Sequence, residues 1–132
     1  MNDFRPTLEP TKLAEILHGV QFAILYGSAV TGAMREESDI DLAVMYPSIL
    51  GAEDVLRLLG ELSAVFHRYV DLLDLRRAGP IIKMQVLRHG RPVIINDDKA
   101  FKHFSMYTPS EYFDFKLQRR PIEEAIKAGM PS

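Results

Sequence analysis

The residues best suited to chemistry lie between Phe22 and Met45, in the stretch FAILYGSAVTGAMREESDIDLAVM. Five apolar residues lead into Gly27-Ser28, ten residues follow, and Asp39 and Asp41 then open a second apolar run. The pattern predicts a strand, a turn and a strand. Side chains alternate along a strand, so Asp39 and Asp41 share one face while Ile40 and Leu42 take the other. At about 3.3 Å per residue the two carboxylates stand roughly 6 to 7 Å apart, a hard-oxygen pair suited to a divalent cation. Mg²⁺ is commonly held by one or two carboxylates with substrate phosphates completing its shell, which implies a phosphorylated ligand opposite the pair. Gly27-Ser28 fits that ligand, because glycine lets backbone N–H groups approach a phosphate and serine adds a hydroxyl donor.

A third carboxylate follows in Tyr69-Val70-Asp71-Leu72-Leu73-Asp74-Leu75. An aspartate within an apolar run is costly to bury uncompensated, and a metal is one compensation. Asp71 is therefore the natural third ligand. Asp74 lies on the opposite face by strand parity and is free to cap the following turn.

Gly27-Ser28, a ten-residue interval, Asp39-x-Asp41 and a later strand aspartate together resemble the active-site signature of the DNA polymerase beta nucleotidyltransferase superfamily. SDIDLAV at 38–44 and VDLLDL at 70–75, in so short a chain, resemble its minimal nucleotidyltransferase branch, many of whose members are antitoxins paired with HEPN-domain ribonuclease toxins. The resemblance implies a small mixed β-sheet flanked by α-helices, an α/β fold, over roughly 13–127. It implies catalytic and metal-binding roles for Asp39, Asp41 and Asp71, nucleotide binding by Gly27 and Ser28, Mg²⁺ as cofactor and ATP as donor. The implied reaction is transfer of AMP to a hydroxyl, that of a tyrosine, on a cognate HEPN toxin, with which the chain would form a hetero-oligomer. The branch often carries a basic residue before its second glycine; here Thr31 precedes Gly32, and Arg35 is the next cation. Two other roles stay open at this point. One is a small-molecule nucleotidyltransferase of the aminoglycoside type, although those enzymes generally carry an added substrate domain. The other is a non-catalytic module that neutralises a partner by contact.

The elements that must position these residues can be read around them. A chain of 132 residues, 47% hydrophobic and 26% charged, suits one domain with a single core, 1–132. With no cysteine, disulfides, thiol catalysis and cysteine-ligated zinc are excluded. A net charge of −2 argues against a dedicated nucleic-acid binder. No apolar run nears the roughly 20 residues of a membrane span and MNDFRPTLEP lacks a signal-peptide core, so a cytoplasmic protein is expected. A first helix capped by Thr11 carries Leu13, Ile16 and Leu17 and ends at Gly19, with His18 suited to its last turn. Strands are expected over 22–26, 40–45, 70–75 and 93–95, with a short helix near 29–34. Val55, Leu58, Leu59, Leu62, Val65 and Phe66 recur at helical spacing after Ser48 or Gly51, with His67 at that helix's end. Gly79-Pro80 opens a helix that Gly90 closes. Thr108-Pro109-Ser110-Glu111 reads as a capping box opening a last helix, aromatic at Tyr112, Phe113 and Phe115 and broken or kinked at Pro121.

Overall fold

The computed structural model describes residues 10–27 and 39–129. In chain order the elements are α1 (Pro10–Ile16), β1 (Phe22–Tyr26), β2 (Ile40–Met45), α2 (Ala52–Phe66), β3 (Val70–Asp74), α3 (Pro80–His89), β4 (Arg91–Ile95) and α4 (Asp98–Lys127). The short helix expected near 29–34 lies outside the described residues.

The strands form one mixed sheet in the order β3-β2-β1-β4. β1 pairs antiparallel with β2 and with β4, while β2 and β3 run parallel. The two inner strands are the two most continuous apolar runs, and both are buried on both faces. Pro92, which lacks an N–H, is tolerated because β4 is an edge strand, where the register with β1 also shifts between Ala23 and Ile24.

Strand alternation splits the core in two. Ala23, Leu25, Ile40, Leu42, Val44 and Val70 pack under Leu13 and Leu17 of the first helical segment and Leu58, Leu62 and Phe66 of α2. Phe22, Ile24, Ala43 and Leu75 pack against Val86 of α3 and Phe104 of α4. Phe22 meets Phe101 edge-on and Phe104 at a tilt, at centroid distances of 5.2 and 5.3 Å, which seats the start of α4 on the sheet. The helix over 52–66 carries its buried residues at i, i+4 and i+8, and His67 closes it in the left-handed conformation at φ 56°. Pro80 occupies the first turn of α3 after the Gly79 cap.

The C-terminal helix departs from the sequence expectation. One helix of 30 residues runs through Thr108 without interruption, with Pro109 and Pro121 inside it. The cap is Asp97, whose Oδ1 accepts from Ala100 N at 3.0 Å. Thr108, expected as the N-cap, lies inside the helix and is only 2% exposed. Phe101 and Phe104 fix the helix upstream of Pro109, and Glu111 is tied to Lys83 of α3 at 2.6 Å just downstream, so packing carries the helix across the lost hydrogen bond. Past Pro121 the Lys116–Glu123 pair at 3.0 Å spans the proline turn. The aromatics beyond Pro109 are not core: Phe113 is 65% exposed, and Phe115 lies under the Arg119 guanidinium, 5.5 Å from its ring centroid.

Candidate active site

Register places the chemistry. Tyr26 pairs with Asp41 across β1 and β2, and Asp41 pairs with Asp71 across β2 and β3. Paired residues point to the same face, so the three side chains form a row over adjacent strands spaced about 4.8 Å apart. Asp39, exposed immediately before β2, shares that face by alternation. The next row inward on the same face is Ile24, Ala43 and Leu73, part of the apolar layer under α3 and α4. The polar row is thus where that layer meets solvent, at the ends of three strands rather than along an edge strand.

Gly27 closes the row. It follows β1 at φ +68°, the left-handed region that side chains disfavour, and a Cβ added there would lie 2.2 Å from Asp41 Oδ2. The Asp41 carboxylate therefore occupies the space where a side chain would stand, directly over the glycine. Glycine serves two ends here: it turns the chain out of β1 and leaves room for the carboxylate.

The electrostatics follow from this crowding. Burial raises the Asp41 carboxyl above its ordinary range, and the charges of Asp71 and Asp39 push it further in the same direction. Tyr26 is pushed up to about 12, first by burial and then by Asp41 and Asp71. An Asp41 carboxylate whose charge burial and its acidic neighbours disfavour makes a site a cation would relieve, and carboxylate oxygens are the donors that Mg²⁺ takes. Among the described residues no three acidic or histidine side chains converge tightly enough to enclose a metal alone. The donor set therefore fits an ion held by one or two carboxylates with phosphate and water oxygens for the remainder.

Asp74 has the other fate open to it. It is buried, its Oδ2 accepts from Leu50 N at 3.0 Å and its Oδ1 from Arg76 N at 3.0 Å, so it pins two loops at the far end of β3. Of the two β3 aspartates only Asp71 stands in the row. Ser28, Thr31 and Arg35 lie outside the described residues. Tyr26 was missed as a site residue by the sequence reading; its signal was an aromatic with a polar tip at the last strand position before the glycine.

A sequence model of the family described as "Polymerase beta, Nucleotidyltransferase" matches residues 11–99. The protein adenylyltransferase MntA of Shewanella oneidensis is 30% identical over 112 residues, covering 83% of this chain and 78% of MntA. Among solved structures, a chain of a toxin–antitoxin crystal structure with AMP-PNP superimposes with a TM-score of 0.80 at 27% identity, over 91% of this chain and 99% of that one. A structure of the tri-AMPylated HEPN toxin of Shewanella oneidensis in complex with MNT antitoxin gives a TM-score of 0.72 at 25% identity, over 89% and 91% of the two chains.

Proposed function

The chain belongs to the polymerase beta nucleotidyltransferase family, and from that premise we propose that it is an antitoxin that moves AMP from ATP onto a tyrosine hydroxyl of a HEPN-domain toxin, in the cytoplasm. The observation that carries the reading is the row of Asp41 and Asp71, with Asp39 beside it, set over Gly27 at the open end of the sheet. Asp39 and Asp41 would hold Mg²⁺, and the bound ion would neutralise charge on the triphosphate and on the departing pyrophosphate.

The protein groups divide the remaining work. Gly27 would offer its backbone N–H to the phosphates and Ser28 a hydroxyl donor. The acceptor hydroxyl oxygen attacks the α-phosphorus of ATP, the bond from that phosphorus to the bridging oxygen breaks, and pyrophosphate leaves. Asp71, exposed on the row, would either ligate a second Mg²⁺ or take the acceptor's proton. Tyr26 keeps its own proton at neutral pH, so it acts in the row as a neutral hydroxyl.

The support for a protein acceptor is the likeness to an adenylyltransferase and to a complex containing an AMPylated toxin. The test is to incubate the chain with its HEPN partner, ATP and Mg²⁺ and to weigh the partner. A gain of about 329 Da per AMP, absent with Asp39→Ala/Asp41→Ala, is expected. An unmodified partner held in a stable complex would overturn catalysis. Neutralisation by contact is favoured by a separate observation: Phe113, Leu117, Ile122 and Ile126 of α4 are all more than half exposed.

A further inference from the structure

At the opposite end of the sheet from the carboxylate row, a cavity of about 330 Å³ opens between the ends of β2 and β3 and the facing surfaces of α3 and α4. Asp41 and Met45 are separated by about 13 Å along β2, so this cavity is distinct from the nucleotidyl-transfer site. Its floor is apolar, formed by Met45, Leu75 and Phe104.

Two cations stand in its wall, and both are held in place. The Arg76 guanidinium donates through Nε to the Tyr46 carbonyl and through Nη2 to Gln21 Oε1 at 3.4 Å, which leaves three of its five N–H groups free for another acceptor. Lys83 pairs with Glu111 at 2.6 Å, and 17% of the lysine side chain is exposed. Glu111 cancels one positive charge, so the wall keeps a single positive charge in excess, on a planar fork whose orientation is already set. Preorganised guanidinium N–H groups match a carboxylate in shape and charge. Beside them the rings of His103 and Tyr107, also in the lining, stack at 5.2 Å and 17° and add aromatic surface.

We propose that this cavity binds a small organic monoacid, a carboxylate carried on an apolar or aromatic body. The carboxylate would sit on Arg76 and the body on the Met45, Leu75 and Phe104 floor. A volume near the lower end of the range for ligand sites, roughly 300 to 1,000 Å³, limits the body to a ring or a short chain. A triphosphate would bring several charges against one, and inorganic phosphate would leave the apolar floor bare. The proposal goes beyond nucleotidyl transfer and stands whether or not the chain catalyses it.

The test is an amide chemical-shift titration of the full chain with phenylacetate, phenylacetamide and inorganic phosphate. Phenylacetate should shift the amides of Gln21, Arg76 and Thr108 saturably, with a Kd of the order of millimolar for a fragment of this size. Phenylacetamide and phosphate should bind at least about tenfold more weakly, and Arg76→Gln should weaken phenylacetate by a similar factor. Ala100→Leu, which fills the cavity without touching a charge, should abolish the shifts, and it keeps the test open if Arg76→Gln unfolds. Equal binding of the amide or of phosphate, undiminished binding to Arg76→Gln or Ala100→Leu, or no localised shift at about tens of millimolar phenylacetate would each overturn the proposal.

Discussion

Gly27→Ala tests the geometry of the carboxylate row most directly. The new Cβ would lie 2.2 Å from Asp41 Oδ2, so the carboxylate must withdraw by more than about 1 Å to regain ordinary contact. Holding alanine at φ +68° costs about 1 to 2 kcal/mol, and forcing Asp41 from its rotamer about 0.5 to 1.5 kcal/mol more. The expected destabilisation is therefore about 1.5 to 3.5 kcal/mol, a fall in Tm of about 10 °C for a domain of this size. Transfer should suffer more than stability, because misplacing a catalytic group by about 1 Å costs about a hundredfold in rate. The control is Gly60→Ala in α2, where an added Cβ meets nothing within 4 Å and helix propensity predicts a gain of about 0.5 to 1 kcal/mol. Thermal unfolding and AMP transfer measured on both variants decide the matter. Gly27→Ala with transfer within about twofold of wild type would refute the claim that Asp41 must lie over Gly27 to work.

The Asp41 carboxyl is raised in the folded chain, so its proton is held more tightly folded than unfolded; the stabilisation is complete below the ordinary carboxylate range and is lost as pH rises through the raised value. Asp41→Asn should therefore melt above wild type at pH 7, converge with it below about pH 4, and lose transfer; a lower Tm at pH 7 contradicts this reading of the row. Tyr26, pushed up to about 12, makes the same argument at alkaline pH: wild type should lose stability between about 10 and 12, and Tyr26→Phe should lose less in melts over that range. Asp74→Ala should cost about 3 kcal/mol, since two backbone N–H groups lose an ionised acceptor, whereas Asp71→Ala should stay within about 0.5 kcal/mol while losing transfer. Melts and activity measured side by side separate these two roles. Mg²⁺ with ATP at about a hundredfold excess over Kd should stabilise wild type by about 2.7 kcal/mol and leave Asp39→Ala/Asp41→Ala nearly unmoved in a thermal-shift assay.

The sheet was readable because its inner strands are short apolar runs bounded by unmistakable punctuation. Gly27 directly follows β1 and Pro47 lies two residues past β2, and the structure stops both strands before those residues. The pairing of Asp41 with Asp71 was readable only as far as parity: alternation assigns each aspartate a face, but which strands become neighbours is set by packing on both sides of the sheet. The start of α4 was misread because Thr108-Pro109-Ser110-Glu111 satisfies every local rule for a helix start, while its burial depends on Phe22 and Lys83, distant in sequence. Asp97 met the same capping rule with a less conspicuous motif and won, because its helix brings Phe101 and Phe104 onto the core. Tyr26 escaped notice for a related reason. Its strand position was clear, but its part in the row follows from the cross-strand register with Asp41.

Asp71 and Asp74 show how one residue type in one strand is divided between stability and chemistry. Asp74 has donors on both oxygens, from Leu50 and Arg76, and is buried; its acceptor capacity is spent on the fold. Asp71, on the other face and exposed, adds its charge to a row where Asp41 is already held above its ordinary range. Such repulsion is a cost to the empty fold, and the same repulsion is what a cation and a polyphosphate would relieve on binding. The chain places that cost at strand ends, over a glycine and beside solvent, where the two inner strands can remain buried on both faces and bear it. The instability of the row and its capacity to bind are therefore two consequences of one arrangement, and a substitution that removes the first should remove the second.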